Sequence, residues 1–365
     1  MKKILYIGGF EMPDKNAAAQ RVLSIAKALR EAGYEIHFYG ISQSNDFDGM
    51  VDGFHYEACR HPEGTIEWIK YALGKGIIDY IKQRSPNYVF LYNFPAIAQE
   101  KVISYCKKHD IKIVGDITEW YRPISLPKRI DTWLRMRYSN KHMDGIIAIS
   151  RYLAVYYKNK NVILLPPLVD KQEKKWQIQP QNREDDKVNL VYIGTGSIKD
   201  RLDKIIKGIK QTDSDRFHLD VIGIDKNQYN IIYHNSVDFS SMDILFHGRL
   251  PHQEALEFLK NADFQIFFRD YIRVNNAGFP TKFVESMSAG VPVITNRISN
   301  IDDYIKNRVN SFMIEHPADD EICEVLKIVS NLSRTDMDSL KKNCLIDNFD
   351  YRNYIGALDT FMKSL

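Results

Sequence analysis

The segment Asn275–Asn296, NNAGFPTKFVESMSAGVPVITN, carries the residues best suited to chemistry. Pro280 precedes a predicted helix over Thr281–Ala289, and a glycine follows the last residue of that helix. The backbone N–H groups at the helix start and the cation of Lys282 favour an anion such as a diphosphate. Glu285 lies one turn further on and can accept two hydrogen bonds from a ribose diol. The segment therefore predicts a nucleotide site, although Lys282 and Glu285 also fit an exposed i, i+3 ion pair.

A second set of candidate residues lies in GDITEWY, residues 115–121, directly after a predicted strand. Asp116 and Glu119 are two carboxylates at the end of that strand, with Thr118 between them. Carboxylates at this position face the ligand crevice of an α/β domain, where they can position a substrate and stabilise positive charge. The alternative for Asp116 is that it caps the next helix.

The elements that must position these residues follow one pattern, which occurs twice. A buried-type strand, a glycine-containing loop and an amphipathic helix follow one another at Lys3–Ile7, Gly8-Gly9 and Arg21–Ala32. The pattern returns at Val188–Ile193, with Gly194 and Gly196 in the loop. Strands alternating with helices predict an α/β fold with two doubly wound, mostly parallel sheets. Further strands are predicted at 34–39, 88–92, 112–115, 145–149, 218–222, 244–246, 264–268 and 291–295.

The chain is long enough for two domains. Residues 1–168 form the first predicted domain, and the polar stretch 169–187, without an apolar period, reads as a linker. Residues 188–346 form the second domain, and 347–365 a C-terminal helix that returns to the first. Ligands of doubly wound sheets bind outside the carboxyl ends of the strands, so two such domains facing one another predict a site in the cleft between them.

The phrase FPTKFVESMSAGVPVI resembles the donor-binding signature of the retaining glycosyltransferases of family 4. VYIGTGSIKDRL, FHGRLPHQEALEFLKNADF and ISRYLAVYYKNKNVILLPPLVD resemble further landmarks of that family, in the same order. The resemblance covers nearly the whole chain and implies the GT-B fold, that is, two Rossmann-like domains facing across a cleft. It also implies transfer of a hexosyl unit from a nucleotide sugar, with retention, as part of bacterial surface-polysaccharide or glycoconjugate synthesis. UDP is the expected nucleotide, the nucleotide sugar is a substrate, and no cofactor or metal is expected.

The resemblance assigns roles to individual residues. Glu285 would bind the donor ribose, while Arg201 with Lys282 or Lys199 would neutralise the diphosphate, and Arg249 would approach the base. A salt bridge of Arg201 with Asp200 or Asp203 is the alternative. The implied donor-binding residues are Gly194, Thr195, Lys199, Arg201, Arg249, Gly278, Phe279, Pro280, Thr281, Lys282 and Glu285, and the implied catalytic ones are Asp116, Thr118 and Glu119.

Two positions depart from the family pattern. Ala277 stands eight residues before Glu285, where relatives have a second glutamate, and Thr118 stands where relatives have histidine. The departures leave open a non-catalytic GT-B subunit that stabilises a partner glycosyltransferase. The resemblance implies a front-face transfer, in which the donor phosphate accepts the acceptor's proton, and such a transfer needs no protein nucleophile.

The loop after the first strand is the implied acceptor side, with Gly8, Gly9, Asn16 and Arg21 as its candidates. Residues 122–142 hold six Lys or Arg against one acidic residue, interleaved with Trp133, Leu134 and Met136. Such a segment can attach a protein to anionic lipid headgroups, which would suit a lipid-linked acceptor. The alternative is a helix that packs Ile130, Trp133 and Leu134 on its own domain. The expected location is cytoplasmic, or peripheral at the inner face of the membrane.

Composition and motifs argue against several other classes of protein. The net charge of +3 gives no global reason to expect a nucleic-acid partner, and the four cysteines lack metal-ligand spacing. Neither glycine loop has the full GxGxxG of a dehydrogenase. Asp213-Ser214-Asp215 spells the DxD of a metal-dependent GT-A transferase, but its place between a helix and a strand predicts a surface turn. A nucleotide-sugar epimerase of GT-B form stays open.

Overall fold

The computed structural model describes residues 1–12, 16–44, 47–177, 186–212, 214–234, 237–344 and 346–365. The chain folds into two compact units. The first comprises Met1–Val169, Ala277–Phe279 and Asp350–Leu365, and the second comprises Asp170–Asn276 and Pro280–Phe349. Asp213 of the DxD triplet lies outside the described residues, and Ser214–Arg216 forms a short 3-10 helix.

An eight-stranded sheet forms the centre of the first unit, in the order β3-β4-β2-β1-β5-β6-β7-β8. All neighbouring strands run parallel except β3 and β4, which pair as an antiparallel hairpin at one edge. The elements are β1 (Lys2–Gly8), α1 (Ala17–Glu31), β2 (Tyr34–Ser42), β3 (Asp48–Val51), β4 (Phe54–Arg60), α2 (Gly64–Ala72), α3 (Ile77–Arg84), β5 (Tyr88–Tyr92), α4 (Ala96–Lys108), β6 (Lys112–Ile117), α5 (Leu126–Arg137), β7 (Gly145–Ala148), α6 (Arg151–Tyr156) and β8 (Asn161–Leu164).

The second unit has a six-stranded parallel sheet in the order β11-β10-β9-β12-β13-β14. Its elements are β9 (Val188–Ile193), α7 (Leu202–Gln211), β10 (Phe217–Ile222), α8 (Lys226–Tyr233), β11 (Ile244–Gly248), α9 (His252–Asn261), β12 (Phe264–Ile266), α10 (Arg273–Ala277), α11 (Thr281–Ala289), β13 (Val293–Asn296), β14 (Phe312–Ile314), α12 (Asp319–Ser330) and α13 (Arg334–Lys342). The α/β fold predicted from the alternating pattern, with two doubly wound sheets, is confirmed.

Apolar faces explain why these elements pack as they do. Helix α1 buries Val22, Ile25 and Leu29, which recur at helical spacing, against the first sheet. Helix α7 does the same for the second sheet with Ile205 and Ile209. Burying side chains of this size contributes about 1.5–3 kcal/mol each. Each unit therefore has its own hydrophobic core, and a further cluster that includes Leu5, Ile81 and Val102 lies on the first sheet with α3 and α4.

The C-terminal helix α14 (Ile355–Lys363) belongs to the first unit. Leu358 and Phe361 are buried in the core of that unit. The ring of Phe361 packs so closely on Gly145 of β7 that a Cβ there would lie 2.6 Å from it. The apolar face of this helix therefore adds to the core of the first unit.

The predicted linker is partly built into the second unit. Lys174–Trp176 forms a 3-10 helix with a buried indole, and Lys260 Nζ donates to the Trp176 carbonyl at 2.7 Å. Residues 178–185 of the linker lie outside the described residues. The segment 170–177 is therefore packed structure, because Trp176 supplies an anchor that the polar composition concealed.

Strand order places both glycine loops at a ligand-binding position. Strand β1 lies between β2 and β5, and β9 lies between β10 and β12. The order reverses at these strands, so a crevice opens at the carboxyl end of each. Gly8 ends β1, and Gly194 follows β9. The two switch points therefore fix where each unit can bind a ligand.

Gln265 of β12 offers a test of stability. Its side chain is fully buried, and neither its amide oxygen nor its amide nitrogen has a hydrogen-bond partner among the described residues. An unsatisfied buried polar group costs about 1–3 kcal/mol, so Gln265→Met should raise the free energy of unfolding by about 1–2 kcal/mol. Urea unfolding followed by fluorescence and circular dichroism measures it. A loss of stability would show that the amide makes a hydrogen bond to water in the native protein.

Candidate functional site

A buried ion pair stands at the switch point of the first unit. Asp116, at 0% exposure, accepts a 2.6 Å hydrogen bond from the Tyr6 hydroxyl and bonds from Arg21 Nε and Nη2 at 3.0 and 2.8 Å. Arg21 Nη1 donates to the carbonyls of Leu165 and Pro166 at 3.1 and 3.2 Å. Burial lowers the pKa of Arg21. The charge of Asp116 and its hydrogen bonds act in the opposite direction and are stronger together, so the pKa of Arg21 lies above its usual range. Burial and Asp116 together also raise the pKa of Tyr6.

This pair involves two of the predicted site residues. Arg21 was predicted to bind an acceptor, but its side chain is 3% exposed and its donors bind Asp116 and backbone carbonyls. Asp116 was predicted to position substrate or to cap a helix, whereas it lies inside β6 with both carboxylate oxygens bonded. Both residues therefore stabilise the elements around the crevice, because they join β6, α1 and the backbone at residues 165–166. Of the remaining acceptor candidates, Asn16 caps α1 by accepting from the Ala19 N–H at 2.8 Å.

Thr118 and Glu119 differ in how they face the crevice. Thr118 is buried, and its hydroxyl accepts from Asn93 Nδ2 at 2.6 Å and lies 3.3 Å from the Tyr92 hydroxyl. Glu119 is half-buried beside Tyr121, whose pKa is raised first by burial and then by the neighbouring carboxylate. Glu119 is therefore the carboxylate of the predicted catalytic set with access to a ligand.

A cavity of about 370 Å³ opens beside Gly9. We call it the Gly9 cavity. Arg135 is 5% exposed, donates to the Asn93 carbonyl at 2.7 Å and lies 5.2 Å from the Tyr121 ring. The Nε of Arg135 is buried without a hydrogen-bond partner among the described residues. Aromatic walls with a few polar groups suit a ring-shaped polar ligand such as a sugar. The cavity is lined by Gly9, Trp68, Tyr71, Asn93, Pro95, Tyr121, Arg122, Pro123, Lys128, Asp131, Thr132 and Arg135.

Gly8 has a different role from Gly9. A Cβ at Gly8 would lie 2.5 Å from the Tyr92 carbonyl oxygen, whereas a Cβ at Gly9 would meet nothing within 4 Å. Gly8 is therefore required for packing of β1 on β5. Gly9 leaves the floor of the cavity open.

In the second unit, Gly194 leaves room for a buried cation. A Cβ at Gly194 would lie 2.8 Å from both Lys282 Nζ and the Tyr192 hydroxyl. Lys282 is 8% exposed and stands in the first turn of α11, 4.6 Å from the centre of the Tyr192 ring. No side chain among the described residues caps the start of that helix. The glycine loop, the ammonium group and the helix start thus converge at the second switch point.

Lys282 belongs to a buried group of three charges. Asp200 accepts from Lys282 Nζ at 2.7 Å and from Arg269 Nε at 2.8 Å. Burial alone would raise the pKa of Asp200, but the two cations outweigh it and hold that pKa well below its usual range. Burial lowers the pKa of Lys282, and Asp200 opposes this effect. Two cations share one carboxylate, so the group carries a net positive charge that an anion can neutralise.

Arg201 takes the salt-bridge alternative. It donates to Asp203 at 3.0 Å and to Asp270 at 3.0 Å, and these two carboxylates surround its guanidinium. Asp203 and Asp270 raise its pKa, the hydrogen bond with Asp203 being the largest cause. These bonds engage Nε and one N–H group on each terminal nitrogen of Arg201, and the two carboxylates reduce the net positive charge that it offers to a diphosphate. Of the other predicted cations, Arg249 is exposed after β11 and Lys199 is half-buried, and Thr195 beside them is exposed.

Glu285 is held in place by a histidine. His252 Nε2, at the start of α9, lies 3.0 Å from Glu285 Oε1. Glu285 is 19% exposed and stays accessible on the helix α11. It therefore does not form the exposed i, i+3 pair with Lys282, which bonds Asp200 instead.

The stretch before α11 divides between the two units. Pro280 is buried and Thr281 exposed, and both belong to the second unit. Gly278 and Phe279 are buried and group with the first unit, as does Ala277 at 0% exposure. Within the first unit, Ser150 Oγ donates to the Ala277 carbonyl at 2.7 Å.

Several residues of the second unit's site were not predicted from the sequence. Arg269, Asp270 and His252 follow no motif that marks them as partners of Asp200, Arg201 and Glu285. Their sequence separations are 69, 69 and 33 residues. Only the position of Arg269 just after β12, at a strand's carboxyl end, could have suggested it.

Two Rossmann-like units, each with a glycine loop at its switch point, define the GT-B fold. Residues 173–343 match the sequence family described as "Glycosyl transferases group 1". The chain carries a group 1 glycosyl transferase domain there, which confirms the predicted resemblance, and its fold is the GT-B fold.

Solved structures give the same fold over the whole chain. Sucrose-phosphate synthase from Thermosynechococcus elongatus superposes with a TM-score of 0.78 at 12% identity, covering 100% of this chain and 98% of the other. Anabaena HepE in complex with UDP and glucose gives 0.71 at 12% identity and covers 100% of both chains. The lipopolysaccharide outer core galactosyltransferase WaaB gives 0.66 at 16% identity and covers 99% of both. No curated protein sequence matches the chain.

Proposed function

We propose that this protein moves a hexosyl unit from a nucleoside-diphosphate sugar, with UDP as the preferred nucleotide, to a hydroxyl acceptor. The transfer retains the anomeric configuration and needs no metal. The observation that carries the proposal is the second switch point. Gly194 leaves room there for Lys282 at the start of α11, and Glu285, which contacts His252, lies one turn further along α11. This arrangement offers a cation to a diphosphate and a carboxylate to a ribose diol.

The charge at that site suits a departing nucleoside diphosphate. The group of Asp200, Lys282 and Arg269 has one positive charge in excess, and it is preorganised by hydrogen bonds of 2.7 and 2.8 Å. Fixed cations and helix N–H groups stabilise the charge that develops on the leaving diphosphate without reorganising. A divalent metal has no separate task in this scheme.

The proposed step is a front-face displacement. The bond from the anomeric carbon to the diphosphate oxygen breaks, the acceptor oxygen bonds to that carbon on the same face, and the acceptor's proton passes to the diphosphate. Asp116 is enclosed by Tyr6 and Arg21, so the scheme assigns it no nucleophilic role. Glu119 would stabilise positive charge at the anomeric carbon.

The Gly9 cavity is the proposed acceptor site. Its size of about 370 Å³ suits one or two sugar rings against Trp68, Tyr71 and Tyr121, with polar groups of Asn93, Asp131 and Arg135 among the lining residues. HepE is described in complex with UDP and glucose, and WaaB is described as a lipopolysaccharide outer core galactosyltransferase. These descriptions support UDP and a surface-glycan acceptor as proposals for this chain.

A lipid-linked acceptor would agree with an exposed apolar patch on the first unit. Helix α5 packs through Thr132, Arg135 and Met136, which corrects the alternative in which Ile130 and Trp133 pack inward. Lys128 Nζ lies 5.7 Å from the Trp68 ring and so connects α5 with α2. The patch, with exposures from 41 to 99%, comprises Ile66, Ile69, Leu73, Ile97, Ile124, Leu126, Ile130 and Trp133.

The cations of residues 122–137 adjoin this patch, and apolar anchors beside cations favour an anionic membrane surface. None of the described helices is long and apolar enough to cross a membrane. The double variant Ile130→Ser/Trp133→Ser should lower the fraction that floats with anionic vesicles several-fold. Ile231→Ser, which removes an exposed isoleucine of the second unit, is the control. Equal flotation of the double variant and the wild type would contradict membrane attachment through α5.

Turnover tests the proposed reaction. The purified chain is incubated with UDP-sugars and a glycolipid extract in the presence of EDTA, and NMR follows UDP release and the anomeric configuration of the product. We expect release that depends on acceptor and a product with the donor's configuration. An epimerised nucleotide sugar without acceptor would favour an epimerase. Absence of turnover together with nucleotide binding would favour the non-catalytic subunit.

A further inference from the structure

Two histidines stand side by side at the edge of the first sheet, away from both switch points. His37 of β2 and His55 of β4 are direct partners in the strand register. Their Nδ1 atoms are 3.2 Å apart, and their ring planes are inclined by only 27°. The side chains are 19% and 40% exposed. The glycosyl-transfer scheme uses neither of them.

The outer nitrogens of the two rings are already occupied. His55 Nε2 lies 2.9 Å from the Asp48 carboxylate on β3, and His37 Nε2 lies 2.7 Å from the Tyr80 hydroxyl on α3. An ionised carboxylate only accepts, so the neutral His55 ring carries its proton on Nε2 and turns a lone pair toward His37. A proton on one of the two Nδ1 atoms, or a cation, must therefore lie between the two nitrogens.

Glu57 completes a set of three donors. It follows His55 by two residues, so both side chains leave the same face of β4. One ligand atom from each of His37, His55 and Glu57 lies within 4.8 Å of the other two. Glu57 also contacts Arg84, and a rotation of the carboxylate away from this guanidinium would turn it toward the imidazoles.

We propose that His37, His55 and Glu57 bind a divalent cation of the zinc class. Zinc–nitrogen bonds of about 2.0–2.1 Å at a tetrahedral angle place two nitrogens about 3.3 Å apart, close to the observed 3.2 Å. Asp48 takes the place of the carboxylate that orients a metal-bound histidine from its outer nitrogen. His37 also lines a polar cavity of about 200 Å³ together with Glu35 and Arg84.

The proposed cation would stabilise the sheet edge. It would join β2 to β4 directly and β3 through Asp48, at the end of the sheet where the antiparallel hairpin begins. The charged groups that face it are Asp48, Glu57 and Arg84. Arg84 opposes the cation, both by its own charge and by its hold on Glu57. The site is independent of the metal-free transfer proposed above.

Zinc titration of the full chain after chelator treatment tests the site, with calorimetry for binding and thermal unfolding for stability. We expect one Zn²⁺ per chain, a raised melting temperature, no matching effect of Mg²⁺, and the visible absorption of four-coordinate Co²⁺. His55→Gln should weaken zinc binding roughly 100-fold and Glu57→Gln roughly 10-fold. Arg84→Gln should tighten it.

His109→Gln is the control, because this exposed imidazole stands on α4's carboxyl end and contacts only the Tyr105 ring among the described residues. It should bind zinc as the wild type does. Circular dichroism of each variant without metal establishes that it folds. Zinc binding that is absent, or unchanged in His37→Gln and His55→Gln, would overturn the proposal and leave a hydrogen-bonded imidazole pair only.

Discussion

Replacing Asp116 by Asn should lower the free energy of unfolding by about 3–5 kcal/mol, because it leaves the Arg21 guanidinium buried without a counter-charge. Arg21 is 4% exposed and cannot reach water while its Nη1 holds the carbonyls of Leu165 and Pro166. The Tyr6 hydroxyl would also lose an ionised acceptor at 2.6 Å. Urea unfolding followed by circular dichroism measures the change.

Glu119→Gln is the matched comparison for this prediction. Glu119 is three residues further on, is half-buried, and has a proposed role in transfer. Its substitution should change the free energy of unfolding by less than about 1 kcal/mol while lowering turnover. Equal stability of Asp116→Asn and Glu119→Gln would contradict a structural role for the Arg21–Asp116 pair.

Replacing Glu285 by Ala should weaken nucleotide binding roughly 10- to 100-fold, because hydrogen bonds to a charged acceptor contribute about 1.5–3 kcal/mol. The His252 ring holds the carboxylate 3.0 Å away, so the wild-type side chain loses little freedom when the ligand binds. The variant removes one partly exposed side chain and should keep its melting temperature without ligand within a few degrees. Calorimetric titration with nucleoside diphosphates measures the affinity.

Glu254→Ala serves as the control for Glu285→Ala. Glu254 is an exposed carboxylate in the first turn of α9, the helix that carries His252. Removing it changes the net charge by the same amount as Glu285→Ala and should leave nucleotide affinity within about twofold of the wild type. Equal losses in both variants would mean that long-range charge, and not a contact with Glu285, governs binding.

The fold was predictable where local patterns determine it. The helix Thr281–Ala289 has the predicted bounds, and Gly290 ends it with a φ of 76°. Both glycine loops follow strands, as the apolar runs before them indicated. The hairpin of β3 and β4 was not predicted, because β3 is only four residues long and buries none of them.

The charge pairing within the sites could not be read from the sequence. Arg21 and Asp116 are 95 residues apart, and Lys282 and Asp200 are 82 apart, so only the closed sheets bring them together. Sequence patterns placed Arg21 and Asp116 at loop and strand ends, but they gave no information on which charges neutralise one another. On α5 the sequence left both a membrane-binding face and inward packing open for Ile130 and Trp133, and the structure packs the helix through Thr132 and Met136 instead.

Calorimetric titration with UDP, GDP, ADP, CMP and their sugar conjugates in EDTA tests the central claim, a donor site in the second unit, most directly. One nucleoside diphosphate should bind with a stoichiometry of about one, should raise the melting temperature, and should bind far more weakly to Glu285→Ala than to Glu254→Ala. Failure of every nucleotide to bind the folded wild-type chain, or binding that Glu285→Ala leaves unchanged, would contradict the account.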